Sequence, residues 1–320
     1  LFNNLNATVE YYIKNTHDIL LQLPIPQITG LNAPYQNAGK VTNKGYDFIL
    51  SYNDKIGKLQ YGIIATLSDV KNKIVDLVGT GPYISSRTIR MEGSPIDAFY
   101  GYESSGLFQN LEEIQAHATQ FGAVVPGDIK YKDQMTIDTN ADGIPDSGDG
   151  KIDDKDRVVF GSPIPRYTYS FTFNAKYKQF DLSAFFQGVG KCDGYIDQYG
   201  VWAFYLGGTA YEWQKDYWTE TNPNASYPRL TFNYPNNEQV SSYWVKSAAY
   251  LRLKNLQIGY TFPKSFISKC FLENARIYFS AQNLLTFDKF YESFDPEAPL
   301  GTGSFYPMVK VFTFGIDLKL

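Results

Sequence analysis

Apolar and polar side chains alternate one by one along many stretches of this 320-residue chain. In the clearest stretch, every second residue from Tyr167 to Tyr177 is aromatic or alanine, and the residues between them are polar. Successive side chains of a β-strand point to opposite faces, so the pattern predicts strands with one apolar and one hydrophilic face. The alternation resumes at Phe180 after Lys178 and Gln179, which predicts a hairpin with a two-residue turn.

The same alternation predicts about nine strands, so the chain is expected to be all-β. They are the segments 9–14, 18–23, 46–52, 59–67, 167–177, 180–187, 250–262, 276–285 and 311–320. Within 250–262 the apolar residues change phase, which predicts a β-bulge near Asn255. Helical patterns are confined to 111–119 and 263–272.

Composition narrows the classes of function. Aromatic residues make up 17% of the chain, with 26 Tyr and 23 Phe against 3 Met, and this favours strands over helices. The net charge of −4 comes with no basic stripe, so no nucleic acid is expected as a partner. No apolar run approaches the roughly 20 residues of a membrane-spanning helix. If the chain spans a bilayer, it must do so with strands.

The connections between the predicted strands alternate between short and long. Short ones fall near 15–17, 53–58, 178–179 and 263–274, and long ones near 24–44, 69–166, 188–248 and 286–310. This alternation is typical of an antiparallel transmembrane β-barrel with short periplasmic turns and long extracellular loops. A strand of about 11 residues tilted near 45° climbs about 26 Å, close to the thickness of the apolar band of such a barrel. Counting back from the C-terminus places Leu320 on the periplasmic side and Leu1 outside.

The ends of the chain indicate a part of a larger barrel. The first residues lack the basic and apolar regions of a signal peptide. A sheet that spans lipid must close, and bacterial barrels have an even number of strands, so we expect further strands upstream of residue 1. Alternation from Phe312 to Leu320 runs to the C-terminus. This is typical of a barrel-insertion signal, and the alternative is an ordinary amphipathic edge strand.

Several motifs, taken in this order, resemble the SusC/RagA-type TonB-dependent transporters of Bacteroidetes. They are VEYY at 9–12, DILL at 18–21, NAGKVTNKG at 37–45, DLSAFFQG at 181–188, LRLKNL at 251–256, AQNL at 281–284 and FDPE at 294–297. The resemblance implies the C-terminal portion of a 22-stranded barrel over residues 1–320, with an extracellular loop at 69–166 and the N-terminal plug absent from this chain. It also implies a place in the outer membrane, contact with its lipid, coupling to the TonB complex through the missing N-terminal region, and a SusD-like surface lipoprotein as partner. The expected substrate is an oligosaccharide or an oligopeptide.

An Asp-rich segment at 138–156 has the spacing of a calcium-binding loop. Oxygen ligands fall at positions 1, 3, 5, 9 and 12 of an EF-hand-like pattern, with Gly143 at the sharp turn. The predicted ligands are Asp138, Asn140, Asp142, the Ile144 carbonyl, Asp146 and Asp149, and an overlapping set consists of Asp149, the Lys151 carbonyl, Asp153 and Asp156. A structural Ca²⁺ would hold the long loop in shape, and the alternative is a solvated acidic turn.

Aromatic residues of the long loops are the candidates for substrate contact, because Trp and Tyr offer apolar area with a polar tip. The predicted set is Trp202, Tyr205, Trp213 and Trp218, and packing within folded loops is the alternative for each. No catalytic arrangement is present around His17 or His117, which are read as surface residues, so no enzyme is expected. Cys192 and Cys270 are predicted on opposite sides of the membrane and therefore unpaired.

Two other functions compete with transport. A secreted, calcium-stabilised β-rich adhesion or binding module would explain the Asp-rich loop but not the apolar strand faces. An exported glycan-active enzyme would need a pair of carboxylates in a cleft, for which Asp47 and Asp181 are the candidates.

Overall fold

Eight long strands form an antiparallel sheet in the order in which they follow one another along the chain. They are β1 (Leu5–Gln22), β2 (Tyr35–Ile56), β3 (Leu59–Asp76), β4 (Arg166–Tyr177), β5 (Phe180–Lys191), β6 (Tyr250–Thr261), β7 (Asn274–Asp288) and β8 (Val311–Lys319). The computed structural model describes residues 4–22, 34–232, 234–267 and 272–320. The all-β, antiparallel class predicted from the alternation is confirmed.

The turn predicted at 15–17 is wrong, because 9–14 and 18–22 belong to one strand, and residue 23 lies outside the described part of the chain. The register of β1 against β2 shifts between Thr16 and Ile19, and Asp18 has a φ of 58°. This bulge takes up the break in apolar phase without ending the strand. Since Leu5 pairs with Tyr52 beside a short turn, β1 begins at the short-turn end of the sheet, and the placement of the chain's start at the long-loop end is wrong.

The first three strands are longer than the alternation predicts. β2 has 22 residues and β3 has 18, so 35–44 and 69–76 are strand rather than loop. At about 3.4 Å per residue and a tilt near 45°, strands of this length climb more than 40 Å, well beyond an apolar band of about 25 Å. Pairing between Lys40 and Asp76 shows that the long-loop ends of β2 and β3 remain joined up to this height.

The turn at 178–179 and the bulge of β6 agree with the sequence, whereas the turn predicted at 53–58 is shorter than expected, because 53–56 pair with 59–62 in the sheet. Gly57 and Lys58 form the turn between β2 and β3, and Lys178 and Gln179 form the turn between β4 and β5. The register of β6 against β7 shifts between Leu253 and Asn255, as predicted. Two short helices are described, α1 (Leu111–Gln115) and α2 (Lys264–Ile267). Residues 268–271 of the predicted second helix lie outside the described part of the chain.

The three long connections after β3, β5 and β7 fold into small sheets and single 3₁₀ turns at one end of the large sheet. Their strands are Tyr83–Ile84, Thr88–Arg90, Ala98–Tyr102, Ser104–Leu107, Ile129–Tyr131, Arg157–Gly161, Asp193–Ile196, Val245–Ser247 and Leu300–Gly301. The principal hydrophobic core lies here and includes Phe99, Tyr131, Tyr195 and Trp244. We call this body the loop domain, defined as residues 77–165, 192–249 and 289–310. None of the helices in the described ranges is both long and apolar enough to span a membrane.

Candidate functional site

The register of the large sheet sorts its side chains onto two faces. Val9 lies opposite Phe48, Phe48 opposite Leu67, and Leu67 opposite Tyr169, so these apolar residues form one row across four strands. The apolar residues of β8 are 55–81% exposed from Phe312 to Leu318. This exposure means that no second protein layer covers the apolar face there, as expected of a face that contacts hydrocarbon.

The opposite face is hydrophilic and its side chains hydrogen-bond across strands. The hydroxyl of Ser68 donates to Asp47, the hydroxyls of Thr66 and Ser170 are 2.8 Å apart, and the amide of Asn72 donates to Asn43 at 2.8 Å. Polar groups linked in this way along the wall of a closed barrel suit a water-filled interior. The candidate transport face is therefore this polar side of β1–β8.

Arg276 joins three strands on the polar face near the short turns. Its guanidinium donates to both oxygens of Asp181 on β5, at 3.1 and 2.7 Å, and to Asp317 on β8 at 3.3 Å. Gly259 of β6 leaves the room, since a Cβ there would lie 2.5 Å from Nη2 of Arg276. Asp47 lies eight register positions from Asp181 along β4, so the carboxylate pair of the enzyme alternative is not brought together.

A buried cluster of charges connects the sheet to the loop domain. Arg252 of β6 is 2% exposed, and its guanidinium donates to Thr286 at 2.9 Å and Asp295 at 2.7 Å and lies 3.2 Å from Glu297. Burial of Glu297 opposes its ionisation, but hydrogen bonds from Lys254 and Tyr250 outweigh it and leave the pKa of this carboxyl below its usual value. We call these residues the Arg252 cluster.

The Arg252 cluster joins two of the motifs that carry the family resemblance, LRLKNL at 251–256 and FDPE at 294–297. From the sequence, both motifs support the family resemblance, and neither is predicted to contribute to a site. The signal that was available is the opposite charge of the two segments, one containing Arg252 and Lys254 and the other Asp295 and Glu297.

A second buried polar cluster holds two long loops together. Asp128 is fully buried and accepts hydrogen bonds from Arg229 at 2.6 Å, from the Asn237 amide at 3.0 Å and from the backbone N–H of Val125 at 2.9 Å. A buried carboxylate with this many donors fixes the loop around it. Sequence reasoning missed this cluster, since its members are about a hundred residues apart.

Asp197 of the loop domain faces Arg87, with Oδ2 and Nη2 3.2 Å apart. Burial raises the pKa of this carboxyl, and the charge of Arg87 opposes the rise. Asp197 and Arg87 therefore connect the second long loop to the first.

The four aromatic residues proposed for substrate contact lie in the loop domain, with different degrees of burial. Trp218 is 8% exposed and its indole donates to Gln109 at 3.1 Å. Trp213 packs against the rings of Tyr227 and Tyr291, and Trp202 packs edge-on against Tyr205. These contacts pack Trp213 and Trp218 within the loop domain, and the substrate role of the set stays a prediction.

The carboxylates of the Asp-rich segment hydrogen-bond within their own turns. The backbone N–H of Gly143 donates to Asp138 at 2.7 Å, that of Asp142 donates to Asn140 at 3.0 Å, and the hydroxyl of Thr139 donates to Asp146 at 2.8 Å. Across the described residues, no three His, Cys, Asp or Glu side chains converge on a point that could hold a metal ion. The geometry does not provide a ready calcium cage, and calcium binding stays a prediction.

The second predicted register of the Asp-rich segment has a capping role. Lys155 N–H donates to Asp153 at 3.0 Å, and Asp153 N–H donates to Asp156 at 2.7 Å. Asp156 is 1% exposed and also accepts from the backbone of Gln134 at 2.8 Å. Asp149 accepts from the backbone of Lys151 at 3.1 Å. These bonds stabilise the turn that leads into Arg157–Gly161.

His17, His117 and Cys192 take no part in the two clusters. His17 is exposed, whereas His117 is half-buried and meets the edge of the Phe108 ring at 5.2 Å, so the surface assignment holds for His17 alone. Cys192 is a free, buried thiol, and burial raises its pKa to about 11. Cys270 lies outside the described residues, so its predicted separation from Cys192 stays a prediction.

Known proteins with similar sequences and structures cover the whole length of the chain. TonB-dependent receptor P3 of Formosa agariphila is 33% identical over 99% of this chain and 32% of its own length. TonB-dependent receptor SusC of Bacteroides thetaiotaomicron is 22% identical over all of this chain and 30% of its own length. The chain therefore spans about a third of the length of these relatives.

Solved structures show the same fold. The RagAB peptide importer in its open-open state matches 99% of this chain and 33% of its own chain, with a TM-score of 0.77 and 25% identity. Its closed-closed state gives a TM-score of 0.76 and 27% identity over 99% of this chain and 34% of its own. The model of the family described as TonB dependent receptor-like, beta-barrel matches residues 1–284. With its uncovered apolar face, its polar opposite face and its match to this model, the chain belongs to the TonB-dependent receptor-like β-barrel family.

Proposed function

We propose that the protein containing this chain takes up oligosaccharides or oligopeptides across the outer membrane of a Gram-negative, Bacteroidetes-type cell. The observation that carries the proposal is the eight-stranded sheet itself, with an uncovered apolar face on one side and a hydrogen-bonded polar face on the other. In this assignment the loop domain is extracellular and Lys319, at the short-turn end, is periplasmic. TonB would act through a plug encoded upstream.

A SusD-like surface lipoprotein is the proposed partner of the loop domain. SusC and the RagAB importer are relatives of this chain, and the latter is described as a peptide importer, which supports the oligopeptide as one of the two substrate classes. The set Trp202, Tyr205, Trp213 and Trp218 is proposed to form or support the substrate-contacting surface. A secreted adhesion module fits less well, because it gives no reason for an apolar sheet face without a covering layer.

Two neighbouring isoleucines of β3 offer a test of membrane insertion with a built-in control. Ile63 lies on the apolar face opposite Tyr52 and Phe173, and Ile64 lies on the polar face opposite Ser51 and Thr172. They are 40% and 42% exposed, so their burial is matched. Ile63→Arg is expected to cost about 2–4 kcal/mol if it lies near the middle of the bilayer. Ile64→Arg faces water and is expected to assemble normally.

The measurement is the amount of folded full-length protein in isolated outer membranes for each variant. Equal assembly of the two variants would argue against the membrane assignment and for a water-soluble module. Uptake is then tested by deleting the gene and following import of a panel of defined oligosaccharides and oligopeptides. Loss of one class, restored by the wild-type gene, is the expected result; unchanged uptake across the panel would count against transport.

A further inference from the structure

A group of lysines lies on the apolar side of the sheet, just beyond its aromatic residues. Tyr11 lies opposite Tyr46, and the next row on the same face places Ile13 opposite Lys44 and Lys44 opposite Lys71. Lys73 follows two positions after Lys71, so it shares this face. Lys44, Lys71 and Lys73 are all exposed. We call these three residues the lysine cluster.

The lysine cluster carries a charge that the protein does not neutralise. Lys44 and Lys71 are directly opposite across β2 and β3, and like charges in that position are destabilising. Within the described ranges, no salt bridge involves Lys44, Lys71 or Lys73. The nearest acidic residues on this face are already engaged, Asp69 by Arg166 and Asp76 by Lys40.

A cavity adjoins the lysine cluster. β4 begins only at Arg166, so residues 70–73 of β3 face the loop segment 159–164 across a gap. The gap is a cavity of about 340 Å³, and its lining includes Lys71, Lys73, Arg166 and Lys191. The lining holds these four cations and one carboxylate, Asp193; Arg166 already pairs with Asp69, and the remaining excess of positive charge favours an anionic occupant.

We propose that the lysine cluster binds the phosphate groups of anionic lipid at the long-loop surface of the membrane. The aromatic row of Tyr11 and Tyr46 is expected at the boundary between hydrocarbon and headgroups, and the lysines lie one row beyond it, at the level of the headgroups. Binding a phosphate there balances the Lys44–Lys71 repulsion and anchors the extended ends of β2 and β3. The proposal rests on the membrane location given under the proposed function.

The test uses the full-length protein purified in a mild detergent and lipid A carrying its phosphates as the probe. Replacing Lys44, Lys71 and Lys73 together by Gln is expected to weaken binding at least about tenfold, since each basic residue near an anionic surface contributes a severalfold gain in affinity. The matched control is the triple variant Lys14→Gln, Lys55→Gln and Lys58→Gln. It removes the same charge from the polar face and the short turn, and its binding is expected to stay within about twofold of wild type.

Three outcomes overturn the binding of lipid phosphate by the lysine cluster. They are equal affinity of wild type and the cluster variant, equal loss in the control variant, and unchanged binding when the lipid is stripped of its phosphates. Full displacement of the lipid by inorganic phosphate would show that a free anion, rather than a lipid, is the ligand, and would overturn the lipid assignment. Substrate uptake is measured on the cluster variant, whose three lysines lie on the opposite side of the sheet from the candidate transport face, and is expected to be unchanged. The proposed function is tested separately by loss of uptake in the gene deletion. Failure of the lipid-binding test would therefore leave the proposed function unaffected.

Discussion

Replacing Arg252 by Met should release the segment 295–298 from the barrel wall. The methionine keeps most of the length and apolar area of the side chain but leaves Asp295 and Glu297 without their shared cation. The side chains of Asp295 and Glu297 are only 13% and 24% exposed. Removing one partner of a buried ion pair costs about 3–5 kcal/mol, because the other charge stays buried without compensation.

The lower end of that range, about 3 kcal/mol, applies here. Glu297 keeps its contacts with Lys254 at 2.9 Å and with the Tyr250 hydroxyl at 2.9 Å, which offset part of the loss. A loss of about 3 kcal/mol in the free energy of local opening raises amide exchange roughly a hundredfold. The amides that report it are those of Glu297 and Ala298, which donate to Asp295.

The assay is hydrogen–deuterium exchange of the full-length protein in detergent, read by mass spectrometry on peptides that cover 289–299. Lys254→Met is the matched control, since it removes a cation of the same cluster whose side chain is 22% exposed. It should change exchange by no more than about fivefold, a loss of about 1 kcal/mol, because Asp295 and Glu297 keep Arg252 as their shared cation. The triple variant Arg252→Met, Asp295→Asn and Glu297→Gln removes both uncompensated charges and should recover most of the protection. If Arg252→Met and Lys254→Met have equal effects, the Arg252 cluster does not hold the loop.

Three further predictions concern the loop domain. Trp218→Ala should destabilise the loop domain by about 3–5 kcal/mol, because a buried indole is lost; proteolysis of the loops measures it, and an intact loop domain with reduced substrate binding would instead assign Trp218 to the substrate surface. The pKa of Glu297 is lowered in the folded state, so its stabilisation is fully present above its unfolded pKa of about 4.3 and is lost as pH falls through the folded value; the protection of 295–298, taken relative to the intrinsic exchange rate at each pH, should fall on acidification in wild type but not in Glu297→Gln. If 138–156 binds calcium, terbium should bind in its place and luminesce, and Asp142→Asn should abolish the luminescence. No luminescence in the wild-type protein would leave the segment as an acidic turn held by its own hydrogen bonds.

Alternation of residue types was enough to predict most of the large sheet. Side-chain direction in a strand depends only on the backbone, so 167–177 and 180–187 could be placed on opposite faces and joined by a two-residue turn without any tertiary information. The bulge of β6 was also readable, because a bulge shifts the apolar phase by one residue. The same signal was misread at 15–17, where polar residues at a bulge have the composition of a turn.

The site was less predictable than the sheet. Trp213 and Trp218 were identified as aromatic residues of long loops, but their burial depends on loops from three separate parts of the chain folding together. The Asp-rich segment matched a ligand spacing, yet the same oxygens can satisfy backbone N–H groups of a turn, and spacing does not distinguish the two. The lysine cluster arises only from the register of β2 against β3.

The sequence by itself determined the class of the fold, the two faces of the sheet and the end at which the long loops lie. These follow from a two-residue period and from connection lengths, which are local properties of the chain. Only the tertiary structure decided that β1 is one strand, that Arg252 meets Asp295, and that Asp128 meets Arg229. Those contacts join residues from 43 to 101 positions apart, and no local pattern specifies which of many oppositely charged pairs the fold brings together.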